Sequence, residues 1–119
     1  MLIKNLKECE EFIGKDKTTL REILHPKNDN VHLSCSIAYA KLKPGDSSLP
    51  HRLRSTEIYF ILKGKGVMHI NDESKEVGKD CAVYIPSRSV QFIKNIGSRE
   101  LEFLCIVTPP WYSRDEEII

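Results

Sequence analysis

The sequence predicts an all-β fold of the jelly-roll kind, a sandwich or barrel with a short N-terminal segment ahead of it and a tail behind. Three observations predict it. Between residues 32 and 42, Leu33, Cys35, Ile37 and Tyr39 alternate with Ser34, Ser36, Ala38 and Ala40, the period of two that belongs to a strand. Glycine, proline and Asn-Asp turn signals then recur at short, even intervals. The segments between them are short and rich in β-branched and aromatic residues, and strands at that pitch build sandwiches or barrels.

Residues 32–42 form the first strand of this set. Pro44-Gly45 makes a turn, and Leu49 runs extended into Pro50 and His51, because the residue before a proline is pushed out of helical space. The next strand is 57–62. Lys63-Gly64-Lys65-Gly66 punctuates a hairpin before 67–70, and Asn71-Asp72 turns the chain into 75–77. Gly78-Lys79-Asp80 and Pro86–Ser89 bracket a strand at 81–85, and 91–95 and 101–107 complete about eight strands, as in a jelly roll. Ahead of them, residues 6–13 fit a short helix, and 20–24 an edge strand paired with a partner chain. The tail leaves strand geometry at Pro109-Pro110 and ends acidic. Trp111 and Tyr112 within it either cap one end of the barrel or bury against a second subunit, since large aromatics seldom stay exposed without a partner.

A chain of 119 residues is sized for one domain, residues 1–119, with a single core. Its 18 Lys and Arg against 17 Asp and Glu leave no broad basic face, which argues against nucleic acid and anionic membrane as partners. No apolar run approaches the roughly 20 residues of a membrane span. The opening Met-Leu-Ile-Lys-Asn-Leu-Lys lacks the apolar segment of a signal peptide, so the expected location is cytoplasmic. Cys9, Cys35, Cys81 and Cys105 are widely spaced with no C-x2-C pair, and the last three sit in apolar runs where a thiol behaves as a small buried hydrophobe. Phosphate-loop, zinc-protease, serine-esterase and dinucleotide-binding motifs are absent.

Two blocks carry the chemistry. Gly45, His51, Glu57 and Gly64 fall on the spacing G(X)5HXH(X)3-4E(X)6G, with Leu53 at the second histidine. Pro86 and Asn95 fall on G(X)5PXG(X)2H(X)3N, with Asp80, Arg88 and Gln91 at its two glycines and its histidine. These blocks resemble the two motifs of the cupin superfamily, over residues 31–108. The resemblance implies a double-stranded β-helix and a divalent transition metal (iron, manganese, nickel or zinc) held by His51, Glu57 and Gln91 at the positions that match the family's ligands, Leu53 being unable to coordinate.

Strand parity supports the convergence. His51 and Leu53 share a face, and Glu57 joins it if the residues between bend. An ionised Glu57 inside a barrel is costly unless paired or bound to a cation. Tyr59 shares the parity of Glu57 and is a candidate ligand contact, as is Arg88, whose guanidinium in the turn before Gln91 would favour a carboxylate or phosphate. Arg52 and Arg54 should face outward. His69 is an alternative ligand if it points inward, whereas His25 and His32 read as surface residues.

The expected function is action on, or binding of, a small polar metabolite, with Glu57 as the catalytic acid–base group and a dioxygenase, isomerase or lyase reaction left open. A noncatalytic binding or sensing module is the alternative, favoured by the missing histidines. The expected partners are a small-molecule ligand and a second copy in a homodimer.

Overall fold

A computed structural model describes all 119 residues. The strands are β1 (Glu11–Ile13), β2 (Thr19–Leu24), β3 (Ser36–Leu42), β4 (His51–Leu53), β5 (Thr56–Lys63), β6 (Lys65–Ile70), β7 (Glu73–Gly78), β8 (Ala82–Ile85), β9 (Gln91–Asn95), β10 (Leu101–Thr108) and β11 (Glu116–Ile118). They form a six-stranded sheet, β1-β2-β3-β10-β5-β8, and a five-stranded sheet, β11-β4-β9-β6-β7, with every pairing antiparallel. No helix is long and apolar enough to cross a membrane.

Alternation drives the assembly. On β10, Leu101, Phe103, Cys105 and Val107 are buried while the residues between them are half-buried. The inward faces of both sheets meet in one core, with Ala40, Tyr59, Ile61, Ile85 and Phe103 from the larger sheet against Met68 and Ile93 from the smaller. Burying side chains of this size stabilises by roughly 1.5–3 kcal/mol each.

Several expected elements differ. Residues 6–13 hold only a 3-10 turn at Leu6–Glu8 and strand β1, and β2 pairs with β1 and β3 of its own chain rather than with a partner. The strand expected from His32 begins at Ser36. Lys63–Gly66 is not a hairpin, because β5 and β6 lie in different sheets and Gly64 carries the chain between them. At φ +89°, with Glu100 O only 2.8 Å from where a Cβ would sit, Gly64 has no room for a side chain. The tail returns to strand geometry as β11, antiparallel to β4. Cys105 is buried as expected, but Cys81 is exposed just ahead of β8.

Candidate functional site

His51 and Leu53 occupy the inner face of β4, 4% and 3% exposed, while Arg52 between them is exposed. The bend at Arg54-Ser55 moves the chain from the smaller sheet into the larger, so that Glu57 and Tyr59 on β5 face inward from the opposite layer. His51 Nδ1 lies 2.7 Å from the carbonyl oxygen of Leu49. A carbonyl only accepts, so Nδ1–H donates, and Nε2 is the ring nitrogen left to face the cavity. That nitrogen faces Asp16 Oδ2 at 3.7 Å, beyond hydrogen-bonding distance.

Asp16 comes from the turn between β1 and β2. Gly14 N–H donates to Thr18 O (2.8 Å), Lys17 takes φ +73°, and Asp16 Oδ1 accepts from Thr18 N–H at 3.1 Å. Leu49 N–H donates to Asp16 O at 2.8 Å, which ties this turn to the segment leading into His51. Glu116 opens β11, and its Oε1 accepts from the Trp111 indole N–H at 2.8 Å. Lys15 Nζ donates to the carbonyls of Ser113 (3.1 Å) and Glu116 (2.8 Å), pinning the tail over the turn. One donor atom each from Asp16, His51 and Glu116 lies within 4.8 Å of the others, a set that could hold a metal ion.

Glu57 stands outside that set. Its Oε1 accepts from Gln91 Nε2 at 3.1 Å, and Gln91 Oε1 is buried with no hydrogen-bond partner. Burial pushes the Glu57 carboxyl up to about 8; the Gln91 hydrogen bond offsets part of the rise, and the charges of Asp16 and Glu116 add to it. Burial likewise holds the Tyr59 hydroxyl and the Cys105 thiol well above their ordinary values, so Cys105 is a poor thiolate nucleophile. Asp16, His51, Glu57, Glu116, Tyr59 and Trp111 line one cavity, whose remaining wall includes Leu20, Leu53, Phe103 and Val107. Its water-accessible space is about 80 Å³. At roughly 10–15 Å³ per water, that admits a hydrated ion or a very small ligand.

The structure therefore brings His51, Glu57 and Tyr59 to one cavity, with Gln91 behind Glu57. The family's metal cage is incomplete here: Leu53 is apolar and buried, Gln91 does not line the cavity although its Oε1 makes no hydrogen bond, and of the motif ligand positions only His51 and Glu57 present donors to the cavity. Arg88 is exposed and does not line the cavity; it borders an outer depression with Arg52, Arg54 and Arg114. His69 stacks on Phe92 at 4.1 Å and 9° and contributes nothing to the site. His32 is exposed. His25, expected at the surface, is fully buried, because the tail folds back over it: its Nε2–H donates to Trp111 O at 2.5 Å and its Nδ1 accepts from Lys27 N–H at 3.1 Å. Trp111 thus caps the cavity within its own chain. Sequence reasoning missed Asp16 and Glu116, for which the only signals are the turn composition of Gly14–Thr18 and the acidic character of the tail.

Two facing antiparallel sheets with a polar constellation between them define the class: the chain belongs to the cupin family, whose cupin-domain model matches residues 38–107. Among individual proteins, it is 39% identical over 113 residues to an uncharacterised protein of Methanocaldococcus jannaschii, covering 94% of this chain and 90% of that one. It superposes on a predicted oxalate decarboxylase of Thermotoga maritima with TM-score 0.76 at 27% identity, covering 91% of this chain and 99% of that one. The Streptomyces protein Pac13, a nucleoside dehydratase, shares the fold with TM-score 0.77 at 19% identity, covering 100% of this chain and 91% of that one.

Proposed function

We propose that this cupin binds a small polar metabolite in the cavity and moves a proton on it through Glu57, with a divalent transition metal as cofactor. The observation that carries the reading is the placement of Glu57: a buried carboxyl with one amide partner, lining the same cavity as an imidazole nitrogen that makes no hydrogen bond. A carboxyl kept neutral by burial can donate a proton at neutral pH and take it back afterwards. Tyr59, two residues along β5, supplies a hydroxyl donor on the same wall. Iron, manganese, nickel or zinc in the cavity supplies polarisation of a substrate oxygen.

The cavity favours a ligand of roughly oxalate's size over a nucleoside. Oxalate is therefore the first probe. The expected result is that manganese-loaded wild type and Glu57→Gln both bind it in calorimetry, and that only wild type converts it, with one proton, to formate and carbon dioxide. No binding by either protein sinks the ligand class. Binding without turnover favours the noncatalytic module, which the apolar Leu53 at a motif ligand position supports.

A second copy of the chain is the proposed macromolecular partner. The outward face of the larger sheet carries Ile37, Ile58, Phe60, Tyr84, Leu104 and Ile106 in cross-strand register, where a solvated face would carry polar side chains. Sedimentation is expected to give a dimer for wild type and a monomer for Phe60→Lys; a wild-type monomer at tens of micromolar removes the interface.

A further inference from the structure

We infer that the divalent cation of this chain is held by Asp16, His51 and Glu116, displaced from the motif positions onto two carboxylates that lie outside both motif blocks. The inference rests on the proposal that the cavity holds such an ion, and not on the chemistry assigned to Glu57.

Four observations support it. The donor atoms are already within 4.8 Å of one another, and bonds of about 2.0–2.2 Å to a common ion place neighbouring donors roughly 3–4 Å apart, so closure asks for about an ångström of side-chain movement. Each group is also oriented through its other atom: His51 Nδ1–H on the Leu49 carbonyl, Asp16 Oδ1 on the Thr18 N–H, Glu116 Oε1 on the Trp111 indole. Outer hydrogen bonds of this kind fix ligand rotamers and the imidazole tautomer, and they leave His51 Nε2, Asp16 Oδ2 and Glu116 Oε2 free. His51 is 4% exposed as a residue, and its Nε2 makes no hydrogen bond and lies 3.7 Å from Asp16 Oδ2. Finally, Lys15, the one lysine or arginine among the lining residues, is committed to two main-chain carbonyls, and the other acidic lining residues, Glu22 and Glu57, are further carboxyls. The buried Asp16 and half-buried Glu116 carboxyls gathered at one imidazole disfavour each other's charge, and a divalent ion relieves that cost.

The donor set of one imidazole and two carboxylates suits manganese, iron(II) or zinc with open positions. Because its two carboxylates offset the divalent charge, a small anion can enter a cavity that would otherwise repel it. Occupancy also clamps the tail: the ligands come from the β1–β2 turn, from β4 and from β11, so the ion joins Glu116 to the body of the fold more firmly than the three residue pairs of β11 with β4 do alone.

The test titrates metal-free protein with Mn²⁺, read by electron paramagnetic resonance of the free ion, in parallel with carboxypeptidase digestion of the tail. Wild type is expected to take up about one ion per chain and to lose its tail more slowly when loaded. Asp16→Asn, His51→Gln and Glu116→Gln should each weaken uptake at least about 10-fold, the scale at which even outer-sphere changes act. Glu57→Gln and Gln91→Met should stay within about threefold of wild type on the same scale. The tail of Glu116→Gln should gain no protection from Mn²⁺. Circular dichroism confirms that each near-isosteric variant is folded. Weakened uptake in Glu57→Gln and Gln91→Met with normal uptake in Asp16→Asn and Glu116→Gln returns the ion to the motif positions and overturns the assignment, as does loss in all five variants or no uptake of Mn²⁺ or Zn²⁺ by folded wild type. Uptake that follows the expected pattern in a protein inert toward oxalate sinks the proposed reaction and leaves the site standing.

Discussion

Raising the pH from 5 to 8.5 is expected to cost the metal-free protein on the order of 4 kcal/mol of stability through Glu57 alone. The carboxyl titrates near 4.5 when unfolded and at about 8 when folded, so across that interval the native state holds a proton that the unfolded state has released. The term is therefore absent below pH 4.5, grows by about 1.4 kcal/mol per unit as pH rises, and levels off above about 8. Desolvation is the main cause, which is why the isosteric neutral change Glu57→Gln should remove the dependence while keeping an acceptor for Gln91 Nε2. The variant should match wild type near pH 5 and exceed it at pH 8.5. Urea unfolding of chelator-treated protein at the two pH values measures this; parallel losses in both proteins would mean that Glu57 ionises normally, and would remove the neutral acid from the mechanism.

Asn95→Ala is expected to destabilise by about 3 kcal/mol, from a side chain that touches no ligand. Asn95 is fully buried at the end of β9; its Nδ2 donates to the carbonyls of Leu42 (2.9 Å) and Arg99 (2.8 Å), and its Oδ1 accepts from Gly97 N–H at 2.9 Å. Truncation strands two acceptors and a donor, each worth about 1–3 kcal/mol when buried, less where water reaches the partly buried pair at Gly97 and Arg99. Asn95→Asp should be at least as damaging, because it keeps the acceptor but sets a carboxylate against two carbonyl oxygens. A loss below about 1 kcal/mol in urea unfolding of Asn95→Ala would show that water replaces the amide. The backbone of the same residue bonds Gly45 and Asp46, in the segment that leads to His51, so the side chain also steadies the approach to the cavity.

Much of this fold is legible in the sequence because strand parity is a local property. Alternation through 101–107 is enough to place Phe103 and Cys105 inside, and the spacing of His51, Leu53, Glu57 and Tyr59 places all of them inward once Arg54-Ser55 bends. Gly64 and Asn95 are likewise visible, since a positive φ against a neighbouring backbone and a three-armed amide each demand one residue type. Parity is silent on which strand edges meet. Residues 6–13, read as a helix, end in β1, and the edge strand read at 20–24 is β2, which pairs with β1 and β3 of its own chain rather than with a partner. The acidic tail read as irregular becomes a strand because β4 offers it a free edge. Those two pairings deliver Asp16 and Glu116 to His51 and lay Trp111 over His25. The sequence by itself determined the two-layered core and the inward placement of His51 and Glu57. Only the tertiary structure decided which charges surround them, because an electrostatic environment is set by distances between groups that no local spacing encodes.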